Sequence, residues 1–267
     1  MAVAPCPRDG GPVLSAQGEV LDRARPGSAE PDAAWRAIHR AACLPYRASG
    51  RFAWHFARGK LGGDPVFRAL LERGWLGAGT RVLDIGCGQG LLASLLAAAA
   101  REGTIGWPAS WPAAPRCAAY TGIELMRSDI ARAESALAAS PLAPRFIQGD
   151  LRDVPLPACD VVVILDVLHY VDPAAQELAL QRARAALGPR GRLLLRVGDA
   201  SSRRGFAISQ WVDAAVALCR GHRAPPTFGR PLSEWTTLLE RLGFAVQAVP
   251  MSAGTLFANV VLVAHLP

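Results

Sequence analysis

Hydrophobic positions in this chain change period several times, and each change marks an element. Residues 1 to 32 are rich in Pro, Gly and charge without periodicity, which predicts a flexible tail. From Asp32, the side chains of Trp35, Ile38, His39 and Ala42 fall on one helical face, with Asp32 placed to cap it. A second amphipathic run, Arg51 to Lys60, carries Phe52, Trp54, His55 and Phe56. After Gly62-Gly63, Pro65 opens a third helix through Arg73, with Val66, Phe67, Leu70 and Leu71 as its apolar set. Residues 33–77 therefore read as an N-terminal helical cap.

The pattern then alternates between short apolar runs and helical stretches. Arg81 to Ile85, Tyr120 to Glu124, Phe146-Ile147, Val161 to Leu165 and Gly191 to Val197 read as strands. Leu91 to Ala100, Ser128 to Ala139 and Pro173 to Leu187 read as the helices between them. The first of these helices is apolar all round and must pack against a sheet. Residues 102 to 117 interrupt the alternation with prolines, glycines, Trp107 and Trp111; they predict a loop. After an amphipathic region from Ser201 to Phe228 with Phe206, Ile208 and Trp211, a helix over Ser233 to Leu242 precedes strands at Phe244 to Val249 and Leu256 to Ala264. Ser252-Ala253-Gly254 is too short a link for anything but an antiparallel hairpin at the sheet's edge. The fold class is α/β, a doubly wound and mostly parallel seven-stranded sheet, with residues 78–267 forming the sheet domain.

Composition narrows the function. No run reaches the roughly 18 to 20 apolar residues of a membrane span, and Pro5, Pro7, Arg8 and Asp9 stand where a secretory signal needs an apolar stretch. The expectation is a cytoplasmic protein. The net charge of +7 comes almost wholly from Arg, with Lys60 as the single lysine. The arginines are scattered, which argues against nucleic acid. The six cysteines show no CxxC pairing or metal-ligand spacing, so no metal is expected.

The chemistry centres on strand, Asp84, then Gly86-Cys87-Gly88-Gln89-Gly90, then helix. Glycines allow a tight turn and close approach of a ligand, and open α/β sheets bind ligands at the carboxyl ends of their strands. The spacing is G-x-G-x-G rather than the G-x-G-x-x-G of dinucleotide sites. Asp84 beside the loop would repel a pyrophosphate and suits a cationic ligand.

Val82 to Gly90 resembles the glycine-rich motif of class I S-adenosylmethionine-dependent methyltransferases. Gly122-Ile123-Glu124 resembles the second motif, whose acid meets the ribose hydroxyls; Gln148-Gly149-Asp150-Leu151 the third, whose acid meets the adenine amino group; and Leu165 to Tyr170 the fourth. Arg190 to Leu195 is similar to the fifth strand of that family. The resemblance, over about residues 78 to 265, implies a Rossmann-like fold and S-adenosylmethionine as cofactor. It implies Asp84, Gly86, Gly88, Gly90, Glu124, Asp150, Leu151 and Asp166 as the cofactor-binding residues. Glu124 lies 34 residues after Gly90, against about 20 for comparable loops; the 102–117 insertion accounts for the excess.

His169, after the fourth strand, is a candidate general base or a packing residue. His55 is a second candidate base, or a helix histidine between packing aromatics. Arg47, Arg51, Arg58 and Lys60 read as a solvated face, though the arginines could instead pair with a carboxylate or a phosphopantetheine-borne substrate. Aromatic segments at Tyr46 to Phe67 and at Trp107/Trp111 fit the roof of a small-molecule pocket. The cap segment also resembles methyltransferases accompanying aryl-polyene and polyketide-like pathways, which implies an aryl or acyl acceptor. The expected partner is a small molecule, with the protein itself a monomer or homodimer. An RNA or protein methyltransferase, or a non-enzymatic binder on the same fold, are the alternatives.

Overall fold

The computed structural model describes residues 30–103, 106–198, 227–252 and 259–267. The expected tail, most of the Ser201 to Phe228 region with Phe206, Ile208 and Trp211, and the start of the last strand lie outside these residues. Four helices come before or directly after the first strand: α1 (Pro31–Cys43), α2 (Arg51–Gly63), α3 (Pro65–Glu72) and α4 (Leu91–Glu102), the last following β1 (Arg81–Ile85). The chain continues through β2 (Ala119–Glu124), α5 (Arg127–Leu137), β3 (Arg145–Gln148), β4 (Cys159–Leu165), α6 (Pro173–Ala186) and β5 (Leu187–Gly198). It closes with α7 (Leu232–Arg241), β6 (Ala245–Pro250) and β7 (Asn259–His265).

Two starts differ from the sequence reading. Helix α1 begins at Pro31, because proline suits the first helical turn, and its preceding residue Glu30 supplies no side-chain cap. Asp32 instead lies in the first turn and pairs with Arg68 of α3 at 2.8 Å. Strand β5 begins directly after α6, and its register against β4 jumps from Cys159–Leu187 to Val161–Arg192. Arg190, at φ +59°, turns the chain inside that irregularity.

The seven strands are ordered β3-β2-β1-β4-β5-β7-β6. The first five are parallel, and β7 runs antiparallel between β5 and β6. Strand residues alternate between two faces. Val82, Tyr120, Val161, Val163, Leu194 and Val263 pack with α1 to α4 in one core, while Leu83, Val162, Ile164, Leu193 and Leu195 pack with α6 and α7 in the other. Helix α4 buries eight of its twelve residues, as its all-round apolarity requires.

The N-terminal helices are fastened to the sheet and its glycine loop by hydrogen bonds inside the first core. Tyr46, fully buried, donates its hydroxyl to the backbone carbonyl of Gln89 at 2.8 Å. Ser94 on α4 donates to the carbonyl of Ala42 on α1 at 2.7 Å. Both bonds reach residues of, or beside, the glycine loop. Tyr46→Phe leaves the Gln89 carbonyl buried without that donor; urea denaturation should show a loss of about 1 to 2 kcal/mol.

Candidate functional site

Strand order reverses between β1 and β4, and ligands of open α/β sheets sit in the crevice at such a reversal. Here the crevice is walled by the glycine loop after β1 and by Asp166 to Leu168 after β4. The loop is tied to the end of β2, since the N–H groups of Gly86 and Cys87 both donate to the carbonyl of Ile123, at 2.8 and 3.0 Å.

The glycines of this loop have different jobs. A Cβ on Gly86 would sit 2.1 Å from Cγ2 of Val167, so this glycine lets the two walls touch. Gly88, at φ +52°, faces space where a Cβ meets nothing within 4 Å. That space fits a ligand laid against the loop backbone.

Four carboxylates stand at the ends of β1 to β4 or in the turns that follow them. Glu124, at the end of β2, accepts from the N–H of Gly88 at 3.0 Å and of Met126 at 2.9 Å. Burial raises its pKa, these two N–H groups oppose the rise, and Asp129 adds to it. Asp84 lies beneath the loop, 4 % exposed, accepting from the Tyr120 hydroxyl at 2.5 Å. Burial pushes its carboxyl up to about 7, against the Tyr120 bond and with help from Glu124. Asp150 forms a turn: its side chain accepts from the backbone N–H of Arg152 at 2.9 Å and pairs with that guanidinium at 2.6 Å. The Arg152 pairing outweighs burial and holds the Asp150 carboxyl below its usual range. Leu151 follows it, its carbonyl accepting from Arg182.

Asp166 is the fourth and stands at φ +58°. Arg196 of β5 grips it, with Nε 2.7 Å from Oδ1 and Nη2 on Oδ2. The third guanidinium nitrogen donates to Asp64 at 2.5 Å. Lys60 of α2 closes the cluster, 2.8 Å from Asp64 and 3.3 Å from Asp166. Burial works against ionisation of Asp166, but Arg196 and then Lys60 overrule it and hold its carboxyl well below the carboxylate range. The same two cations keep Asp64 ionised.

This cluster corrects the reading of Lys60 as part of a solvated face. The i, i+4 spacing along α2 turns Lys60 toward the sheet, whereas Arg51 and Arg58 remain exposed. Arg196 and Asp64 were not singled out from sequence. A lone charge inside Leu193-Leu194-Leu195-Arg196-Val197 was the available signal, since a charge in a central strand needs a partner. His169 follows Asp166 by three residues, with its ring 4.0 Å from Tyr170. His55 is exposed on α2 against Trp54, 4.7 Å between centroids.

Comparison with known proteins decides what this site belongs to. A family model described as a methyltransferase domain matches residues 53–249. The chain belongs to the methyltransferase-domain family. Its sheet has the Rossmann-like methyltransferase fold. No curated protein sequence matches it. Among solved structures it is similar to an O-methyltransferase family protein from Burkholderia thailandensis, with 17% identity, TM-score 0.57 and 82% of this chain covered. The chain spans 61% of that protein's length. It is also similar to magnesium protoporphyrin IX methyltransferase from Synechocystis PCC 6803, solved with bound SAH, at 17% identity and TM-score 0.54, covering 89% of this chain and 100% of that one. Human N-acetylserotonin methyltransferase in complex with SAM gives 16% identity and TM-score 0.54, covering 89% and 60%. At such identities these structures share its fold. Among the described residues no helix of the methyltransferase is long and apolar enough to cross a membrane, and no group of three or more potential ligands could hold a metal ion.

Two outcomes follow for this site. Gly88→Ala meets open space and costs about 1 kcal/mol of backbone strain, so the variant folds, yet calorimetry with S-adenosylhomocysteine should show at least about tenfold weaker binding. Gly86→Ala clashes with Val167 and should lower the melting temperature first. For Asp84, an acid whose folded pKa of about 7 exceeds its ordinary 3.8 stabilises the fold at low pH and loses that contribution as pH rises through 7. Asp84→Asn lacks this slope while keeping an acceptor for Tyr120. Its stability relative to the parent should therefore rise by about 2 to 3 kcal/mol between roughly pH 5 and pH 8, read from denaturation curves.

Proposed function

We propose that this methyltransferase carries the methyl group of S-adenosylmethionine to a small aromatic or apolar-chain acceptor. The observation that supports it is a row along α2: Phe52, Phe56 and Lys60 recur every fourth residue, on one helix face. Phe52 and Phe56 stack at 6.1 Å between centroids. Phe56 is half-buried and packs against the cap-side core, so an aromatic edge leads from the surface to the crevice at Asp166. Trp54 lies off this row, with Arg47 and Arg58 over its ring at 5.2 and 4.8 Å; Phe56 is therefore the better candidate for an acceptor contact. Aromatic rings offer such a contact large apolar area at little rotamer cost.

In this reading the loop from Gly86 to Gly90 and Glu124 hold the cofactor's ribose end. Asp150 with Leu151 receives the adenine, and Asp84 and Asp166 flank its cationic end, Asp166 as the ionised one of the two. The cofactor supplies a methyl group activated by a positively charged sulfur. The chain's own contribution is orientation and exclusion of water. In this reading His169, three residues after Asp166, takes a proton from an acceptor, and His55, exposed on α2 against Trp54, is the second candidate base.

The basic charge gives little support to an RNA substrate. Arg68, Arg81, Arg152, Arg196 and Arg230 are paired with carboxylates, and Arg182 and Arg192 donate to backbone carbonyls.

The test is methyl transfer to a panel of aromatic acceptors, read as S-adenosylhomocysteine released. Phe56→Ala should raise the KM for aromatic acceptors about tenfold or more while leaving cofactor affinity unchanged. Methylation of RNA without turnover of any small aromatic acceptor would overturn the reading.

A further inference from the structure

Twenty-nine basic residues serve this chain, and one of them is lysine. That one, Lys60, sits at the reversal of strand order, where the cofactor half of the site ends. Arginine and lysine are not interchangeable: lysine is a compact point charge with three rotatable donors, arginine a wide planar fork. The cluster uses both shapes. Arg196, with its side chain 1% exposed, holds Asp166 and Asp64 from inside the sheet with all three nitrogens. Lys60 closes the same carboxylates from the crevice side, with 36% of its side chain exposed. Among the described residues its ammonium has two acceptors, Oδ2 of Asp64 and Oδ2 of Asp166. One N–H remains for a ligand.

Its position says which ligand. In the proposed function Glu124 and the glycine loop hold the cofactor on the β1–β2 side, with only its cationic end reaching Asp166, so the β4–β5 side is left to the acceptor. Phe56 precedes Lys60 by one turn on the same row, which sets a ring contact beside a cation.

We propose that Lys60 binds the nucleophilic oxygen of the acceptor as an oxyanion, and that the acceptor is an aromatic acid, either a carboxylate or an acidic phenol. This rests on the proposed function and narrows it. The ammonium holds the oxyanion beside the methyl group. An oxygen lone pair forms the new C–O bond, the C–S bond breaks, and its electron pair stays on sulfur. The anion becomes a neutral ester or ether as the sulfonium loses its charge. A carboxylate brings no proton, and an acidic phenol gives its proton to water before it binds. Neither acceptor requires His169 as a base.

The experiment measures binding of aromatic probes to the full chain saturated with S-adenosylhomocysteine: 2-naphthoate, 2-naphthol and uncharged 2-naphthamide, by calorimetry. Lys60→Met should weaken 2-naphthoate, or ionised 2-naphthol at high pH, by about ten- to hundredfold, the worth of a charge-assisted hydrogen bond. Binding of the amide and of S-adenosylhomocysteine should stay within about threefold. Lys60→Gln is the second variant should the first fail to fold, with the same outcome expected. The naphthoate and naphthol arms distinguish the two acid classes. Equal losses for acid and amide, a loss confined to S-adenosylhomocysteine, or a parent complex that binds neither acid would each overturn the proposal. Failure of the parent to bind S-adenosylhomocysteine, or transfer only to uncharged acceptors, separates a failure of the underlying site from a failure of this assignment.

Discussion

Arg196 carries a full charge at 2% exposure in the middle of the sheet, and the arrangement around the crevice depends on how that charge is answered. Desolvating an ion costs several kcal/mol unless good geometry repays it. The repayment comes from two carboxylates on different parts of the chain. Asp166 directly follows β4, and Asp64 caps the start of α3, where its side chain also accepts from the N–H of Val66 at 3.2 Å. One guanidinium thus fixes a strand end, a helix start and, through Lys60, the face of α2. The cap cannot take another orientation without stranding a buried charge.

The same cluster sets the shape of the crevice. Asp166 is held at a positive φ, a conformation that costs about 1 to 3 kcal/mol for a residue with a Cβ. The next residue, Val167, then lies where only a glycine can meet it, at Gly86. Strain at one wall and the missing side chain at the other are two parts of one fit. Electrostatics on the opposite side work differently. Asp84 is buried with a hydroxyl for company rather than a cation, so burial dominates and its carboxyl moves up. Two acids at neighbouring strand ends therefore diverge in protonation because one has guanidinium and ammonium neighbours and the other does not.

Much of this was legible in the sequence. The change from a period of 3.6 to short apolar runs marks every strand and helix of the described sheet domain to within a few residues. The reason is local: parallel strands buried on both faces must be apolar throughout. The glycine loop is equally visible, because its backbone geometry needs glycine at fixed spacing. The shift of α1 to Pro31 and the irregular start of β5 depend on how the chain enters and leaves its neighbours.

What sequence by itself determined is the parallel sheet, its antiparallel closing hairpin, the glycine loop and the acids at or just beyond four strand ends. These follow from hydrophobic period and from conformations that only certain residues adopt. The tertiary structure decided the rest: that Lys60 faces inward, that Arg196 bridges Asp64 and Asp166 across 132 and 30 residues, and that Tyr46 clamps Gln89 from 43 residues away. Side-chain pairing across such separations has no local signature. It exists only once the strands are ordered and the cap has closed on them.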